Sequence, residues 1–238
     1  MRLDKYLVEK GYFESRNRAL DAIKRGKVFV NGQLAKASMK CDENSNIDID
    51  QEKFYVSRSA KKLELFLEEY PLNLKEKRAV DVGSSTGGFV QILLENGVKS
   101  VACVDVGTNQ LHHSLRENNR VAIFEETDVR AFKPTEPFDL LTCDVSFISI
   151  LQIMEAIDRL SSYEMILLFK PQFEVGRTVK RDSRGVVVDK KAILEAQNRF
   201  EAKAQELKWE LVYQTTSKLT GKSGNIEYVY YFRKIDEL

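Results

Sequence analysis

The stretch Asp81-Val82-Gly83-Ser84-Ser85-Thr86-Gly87-Gly88-Phe89 constrains this chain more than any other. It follows the apolar pair Ala79-Val80 and runs into Val90-Gln91-Ile92-Leu93-Leu94, which reads as a helix. A strand, a glycine-rich turn and a helix start arrange backbone N–H groups around a ligand. About twenty residues on, Val101-Ala102-Cys103-Val104 ends in Asp105, where such folds set an acid against a ribose diol. The glycine spacing excludes two common cofactor loops. No G-x-G-x-x-G dinucleotide fingerprint is present, and the Gly-Lys-Ser at Gly221–Ser223 has Thr216 where a phosphate loop needs its first glycine.

Further apolar runs alternate with amphipathic stretches after this loop. Strands are predicted at Val121–Phe124, Leu140–Cys143, Met165–Phe169, Leu211–Tyr213 and Tyr228–Phe232, with helices at Ile150–Leu160 and Ala192–Leu207. This alternation predicts an α/β fold with a mostly parallel sheet covered on both faces. Chemistry then belongs at the C-terminal strand ends. Asp144 and Lys170 follow two of these strands, Glu227 opens the last, and Lys62 lies on a helix beginning near Ser59. Each alone reads as a surface group or structural ion pair; together they form a candidate catalytic cluster, with Lys170 as its base. The connection from Pro171 to Asp189 bears Arg177, Lys180, Arg181 and Arg184 and reads as a substrate-side flap, against a plain solvated loop. His112 and His113 lack metal-type neighbours in sequence, and no metal site is predicted.

The 238 residues suffice for one large domain and a small one. No apolar run is long enough to span a bilayer, and the N-terminus is charged at once (Arg2, Asp4, Lys5), unlike a signal peptide. Cys41, Cys103 and Cys143 are scattered and read as reduced thiols of a cytoplasmic protein. The net charge of +1 hides an asymmetry: residues 1–40 hold ten Lys/Arg and four acids, a local +6, leaving −5 for the remainder. A basic head suggests a module that meets a polyanion, against the alternative of a solvated charged face. Leu3, Leu7 and Val8 form a helical stripe, and Ser15 is a candidate cap for a second helix with Ala19, Leu20, Ala22 and Ile23 inward. A strand Lys27–Val30 and a hairpin turn at Asn31-Gly32 follow. Arg2, Lys5, Arg16, Arg18, Arg25 and Lys27 are the candidate polyanion contacts of this module. The expected organisation is a small domain over 1–50, a joint over 51–57 and the large domain over 58–238.

The order Arg-Leu-Asp-x-x-Leu, Ser-Arg-x-x-Ala and Gly-x-Val-x-Val-Asn-Gly resembles the small αL-type RNA-binding domain, which grips RNA by shape and phosphates. Asp81 to Gly88, with Asp105, resembles motif I of S-adenosylmethionine-dependent methyltransferases. Lys62, Asp144, Lys170 and Glu227 are similar to the Lys-Asp-Lys-Glu tetrad of FtsJ-type ribose 2′-O-methyltransferases, and Lys62 is preferred to Lys61 because it directly precedes Leu63. Over its full length the chain resembles the TlyA (hemolysin A) family.

That resemblance implies a Rossmann-like class I methyltransferase sheet with a small N-terminal α/β RNA-binding domain. It implies S-adenosyl-L-methionine as cofactor, held by Asp81, Gly83, Ser84, Gly87, Gly88, Asp105, Val106, Asp128 and Val129. Asp81 would meet the ammonium, Asp105 the ribose and Asp128 the adenine. It implies Lys170 as base, Asp144 orienting it, and Lys62 and Glu227 fixing that pair. The implied substrate is a cytidine ribose of ribosomal RNA, in the large subunit for shorter family members and in both subunits for longer ones; the compact length favours 23S over a 16S/23S range. No membrane or obligate protein partner is expected. Three rivals stand beside this reading: a noncatalytic ribosome-assembly factor, a cytolysin, and a base methyltransferase. The last commonly uses Asn/Asp-Pro-Pro-aromatic or a catalytic cysteine, and Asp144-Val145-Ser146-Phe147 has neither proline.

Overall fold

The computed structural model of the chain describes residues 1–50 and 53–235. Backbone contacts divide it into two compact units, Met1–Phe54 and Tyr55–Leu238. Of the joint expected over 51–57, Gln51 and Glu52 lie outside the described residues, as do residues 236–238 of the large domain. Tyr55 and Val56 pack with the second unit, where the Val56 N–H donates to Gln91 Oε1 at 2.9 Å.

The first unit places helices α1 (Leu3–Glu9) and α2 (Arg16–Lys24) beside strands β1 (Val28–Val30), β2 (Gln33–Leu34) and β3 (Ile47–Ile49). The strands form an antiparallel sheet in the order β2-β1-β3. Ser15 Oγ accepts from the Arg18 N–H at 3.4 Å, capping α2. Asn31 and Gly32, at φ 53° and 76°, make a two-residue hairpin turn in which both residues take the left-handed region. Leu3, Leu7, Ala19, Ile23 and Val28 close the core. Beside it the buried Asp4 carboxylate accepts from Arg16 Nη2 at 2.5 Å and Arg2 Nε at 3.1 Å. These bonds, Arg16 foremost, outweigh burial and hold Asp4 below the usual carboxylate range.

The second unit begins with α3 (Arg58–Glu69), β4 (Arg78–Val82), α4 (Gly88–Glu95), β5 (Ser100–Val104), α5 (His113–Arg116) and β6 (Val121–Phe124). It continues through β7 (Phe138–Cys143), α6 (Met154–Leu160), β8 (Ser161–Phe169), α7 (Pro171–Glu174), α8 (Lys190–Glu206), β9 (Trp209–Thr216) and β10 (Tyr228–Lys234). Among the described residues the sheet is seven-stranded, in the order β6-β5-β4-β7-β8-β10-β9. Strands β4 to β8 pair in parallel, and β10 lies antiparallel between β8 and β9.

Alternation along each strand loads both faces. Ala79, Leu140 and Ile166 belong to the core that includes residues of α3 and α4, whereas Val80, Leu141 and Leu167 join the core that includes residues of α6 and α8. Sheet order reverses between β4 and β7, which opens a crevice beyond their carboxyl ends. The expected helix over Ile150–Leu160 is broken: a 3-10 turn (Ile150–Gln152) precedes α6, with Ile153 between them. The predicted strand Leu211–Tyr213 extends from Trp209 to Thr216.

Candidate active site

Beyond the switch point lie two hollows of about 430 Å³ each, both lined by Gly83, Ser85, Asp144 and Ser146. Gly83, at φ 78°, turns the chain out of β4; a Cβ there would lie 3.1–3.2 Å from Val145 Cγ1 and the Asp144 backbone. The first hollow is lined further by Asp81, Ser84, Lys62 and Lys170, and the second by Asp105, Val106, Asp128 and Val129.

The glycine pair behaves differently from the expectation. Gly87 and Gly88 line neither hollow, because both serve helix packing. A Cβ on Gly87 (φ 93°) would come within 2.3 Å of Leu115, and one on Gly88 within 2.1–2.6 Å of Ser59, Ser57 and the backbone of Ala60. Their small size lets α4 approach α3 and α5; it does not open the cleft.

Asp81 is buried at the end of β4, and Thr142 Oγ1 donates to its Oδ1 at 2.6 Å. Burial pushes its carboxyl up to about 7, against the Thr142 bond, with Asp144 and Asp105 adding to the rise. A carboxyl so poorly compensated, lining an open hollow, suits a cationic ligand group. Asp105 accepts from the Gly107 N–H (2.7 Å) and the Ser85 N–H (2.8 Å), which fixes both oxygens at the mouth of the second hollow. Asp128 is chelated by Arg130, whose side-chain bonds of 2.5–3.1 Å hold its carboxyl at about 2. Val129 is buried and Val106 is exposed.

Of the four candidate catalytic groups Lys62, Asp144 and Lys170 line the first hollow, and Glu227 joins them through its bond to Lys62. Pairing of Tyr228 with Phe169 sets Glu227 beside Lys170, since β10 runs antiparallel to β8. Lys62 Nζ donates to Glu227 Oε2 at 2.6 Å, and Gln172 Nε2 donates to Glu227 Oε1 at 3.3 Å. Lys61 is exposed, and the Lys62 side chain is only 10% exposed. Gly221 is needed here, because a Cβ would fall 2.5 Å from Glu227 Oε1. Lys170 Nζ stands 2.6 Å from Asp144 Oδ1 and donates to Ser146 Oγ at 2.9 Å. Asp144 Oδ1 accepts no aligned hydrogen bond, so its contact with Lys170 is one of charge.

The basic residues divide by what already occupies them. In the first unit Arg2 and Arg16 hold Asp4, Arg18 pairs with Glu14, Arg25 with Asp21, and Lys27 with Asp50 at 2.8 Å; Lys5 is exposed. In the segment after α7, Arg177 and Lys180 are exposed, and Arg184 stays 72% exposed while pairing with Asp182. Arg181 departs from its expected role as an RNA contact. Its guanidinium donates to the carbonyls of Gln172, Gly176, Arg177 and Val179, which ties the segment down. With α7 and a bridge between Arg181 and Val187, the segment is a folded strap. His112 caps α5 through Nδ1, which accepts from the Ser114 N–H.

The sequence pattern gives Ser146, Gln172 and Glu174 no role of their own at the site. The pairing of β7 with β8 brings the loop that carries Ser146 against Lys170, and Gln172 and Glu174 follow Lys170 on α7.

A family model for FtsJ-like methyltransferases matches residues 55–234, most of the chain. The chain belongs to the FtsJ-like methyltransferase family. An S4 domain model matches residues 1–47. The chain is 46% identical to the 23S rRNA (cytidine-2′-O)-methyltransferase TlyA of Campylobacter jejuni, covering 98% of this chain and 100% of that one. It is 36% identical to the 16S/23S rRNA (cytidine-2′-O)-methyltransferase TlyA of Mycobacterium tuberculosis, over 98% and 89% of the two chains. A solved structure from Streptococcus thermophilus that carries the hemolysin name superposes with a TM-score of 0.72 at 33% identity, covering 100% of this chain and 89% of that one.

Proposed function

We propose that the chain transfers a methyl group from S-adenosyl-L-methionine to the ribose O2′ of a cytidine in ribosomal RNA, with the large-subunit 23S rRNA as substrate. The observation that carries this reading is the pair of ion pairs, Lys170–Asp144 and Lys62–Glu227, beside a glycine-turned hollow that ends in a buried, under-compensated Asp81. The cofactor supplies a methyl on a sulfonium, whose carbon–sulfur bond breaks as the bond to O2′ forms. What remains for the protein is to place a weak nucleophile and take its proton.

Asp81 receives the cofactor's ammonium, Asp105 its ribose hydroxyls, and Asp128 and Val129 flank the adenine. Asp144 holds the Lys170 amine beside the first hollow, and Lys170 Nζ takes the O2′ proton. Glu227 keeps Lys62 in place, and Gln172 steadies Glu227 from behind. The exposed cations of the first unit supply phosphate contacts and affinity. Exposed Arg177, Lys180 and Arg184 do the same beside the cleft.

The relative with the higher identity is named for 23S rRNA alone, which favours large-subunit RNA. The relative named for 16S and 23S supports a second reading in which both subunits are substrates. No described helix is long and apolar enough to cross a membrane. Incubation of the protein and radiolabelled cofactor with isolated, unmodified subunits separates these outcomes. Label in the large subunit alone supports the proposal, label in both supports the wider range, and label in neither refutes it.

A further inference from the structure

We propose that Ser146 is a positioning residue for the base, fixing the rotation of the Lys170 amine so that its lone pair faces the substrate oxygen. The inference rests on the reading of Lys170 as that base. Lys170 is 7% exposed and occupies the N-cap position of α7, so its backbone is set by the helix start and its side chain is enclosed. Its amine has two near partners, and they differ in kind. Asp144 Oδ1 is closer at 2.6 Å but accepts no aligned hydrogen bond, whereas Ser146 Oγ accepts one at 2.9 Å. Charge attracts without direction; the hydroxyl supplies direction. A neutral amine presents two N–H bonds and one lone pair. With one N–H held on Ser146 Oγ, the lone pair is confined to the remaining tetrahedral positions, on an amine that lines the first hollow.

The loop that carries Ser146 is built to hold it there. At its start the Asp144 N–H donates to the Val82 carbonyl at 3.0 Å. At its end Ser149 Oγ and the Ile150 N–H donate to the buried Glu174 at 2.6 and 2.9 Å. Glu174 lies on α7, the short helix that Lys170 caps, so the loop and the lysine are closed into one ring of contacts. Between these anchors Phe147 sits at φ 67°, a left-handed conformation costly for a bulky side chain. Backbone strain of this kind persists only where its surroundings impose it. Here it bends the loop directly after Ser146.

Ser146→Ala and Ser146→Thr test this in single-turnover transfer to unmodified large subunits, with cofactor Kd and RNA KM measured alongside. Ser146→Ala is expected to slow transfer about 10- to 100-fold with Kd and KM within about twofold, and Ser146→Thr to recover most of the rate. Equal loss in both variants, or a loss that follows cofactor Kd, overturns the assignment, as does an Ala variant within about twofold of wild type. Neutron diffraction from crystals of wild type and Ser146→Ala reads the same point without activity, because it locates the amine hydrogens. One is expected on the line to Ser146 Oγ in wild type and rotated from it in Ser146→Ala, and the same orientation in both overturns the inference. If wild type transfers nothing to RNA, the fault lies in the functional reading, while the diffraction result still decides the role of Ser146.

Discussion

Cofactor affinity is expected to fall as the solution is acidified through neutrality, because Asp81 must be ionised to hold an ammonium. Its carboxyl lies at about 7 in the free protein. If only the ionised form binds, the apparent Kd carries the factor 1 + 10^(7−pH). That factor grows from about 1.3 at pH 7.5 to about 11 at pH 6, a weakening of about eightfold or ~1.3 kcal/mol. Staying at or below pH 7.5 keeps the cofactor's own amine, ordinarily near 7.7–8.0, mostly protonated.

Stability of the free protein moves the other way. Asp81 binds its proton more tightly folded than unfolded, so its ionisation opposes folding above about pH 7 and that penalty fades as pH falls toward 4. The upper bound is on the order of 4 kcal/mol, from about three pKa units. Titration calorimetry with S-adenosylhomocysteine at several pH values, on wild type and Asp81→Asn, tests the argument. Asp81→Asn should bind weakly and without this slope. A flat wild-type profile, or an unchanged slope in Asp81→Asn, refutes it.

Further perturbations follow from the same geometry. Lys170→Ala should reduce transfer to below about 1% of wild type with cofactor Kd changed by less than about threefold, since Lys170 acts on O2′; parallel loss of both would mark it as structural. Glu227→Gln strands a largely buried Lys62 and should cost on the order of 3–5 kcal/mol in denaturant unfolding, whereas Lys62→Met combined with Glu227→Leu should regain most stability and no activity. Gly87→Ala drives a methyl into Leu115 and Leu111 at positive φ and should cost about 1–3 kcal/mol, read as a lowered Tm, without a specific effect on cofactor Kd. Arg184→Ala should weaken RNA binding and lower the slope of log K against log salt by about one contact. Arg181→Ala should instead loosen the strap, read as faster proteolysis between Gly176 and Val188.

Features with a local cause were legible in the sequence. Ser15 as a cap, Asn31-Gly32 as a hairpin turn and the apolar strands Val101–Val104 and Val121–Phe124 depend on neighbours a few residues away, and each stands where its pattern put it. Strand-end logic also placed Asp144, Lys170 and Glu227 together, because parallel topology turns sequence position into spatial position. Features set by tertiary packing were not legible. The roles of Gly87 and Gly88 depend on side chains of α5 and α3, and the role of Arg181 depends on carbonyls that converge only once the strap has folded. Ser146 carries no periodic or spacing signal; only the meeting of the loop after β7 with the end of β8 gives it a partner. The strand Trp209–Thr216 outruns the expected Leu211–Tyr213 because its last residues, Gln214 to Thr216, are polar, and exposed Glu210 separates the buried Trp209 from the apolar run.

Nucleoside mass spectrometry of large subunits, treated with wild-type protein or Lys170→Ala and digested to nucleosides, asks whether this cleft places a methyl group on a ribose oxygen of ribosomal RNA. The expected result is 2′-O-methylcytidine with wild type and none above background with Lys170→Ala. Methyl on a base, or equal ribose methylation by both proteins, would contradict it.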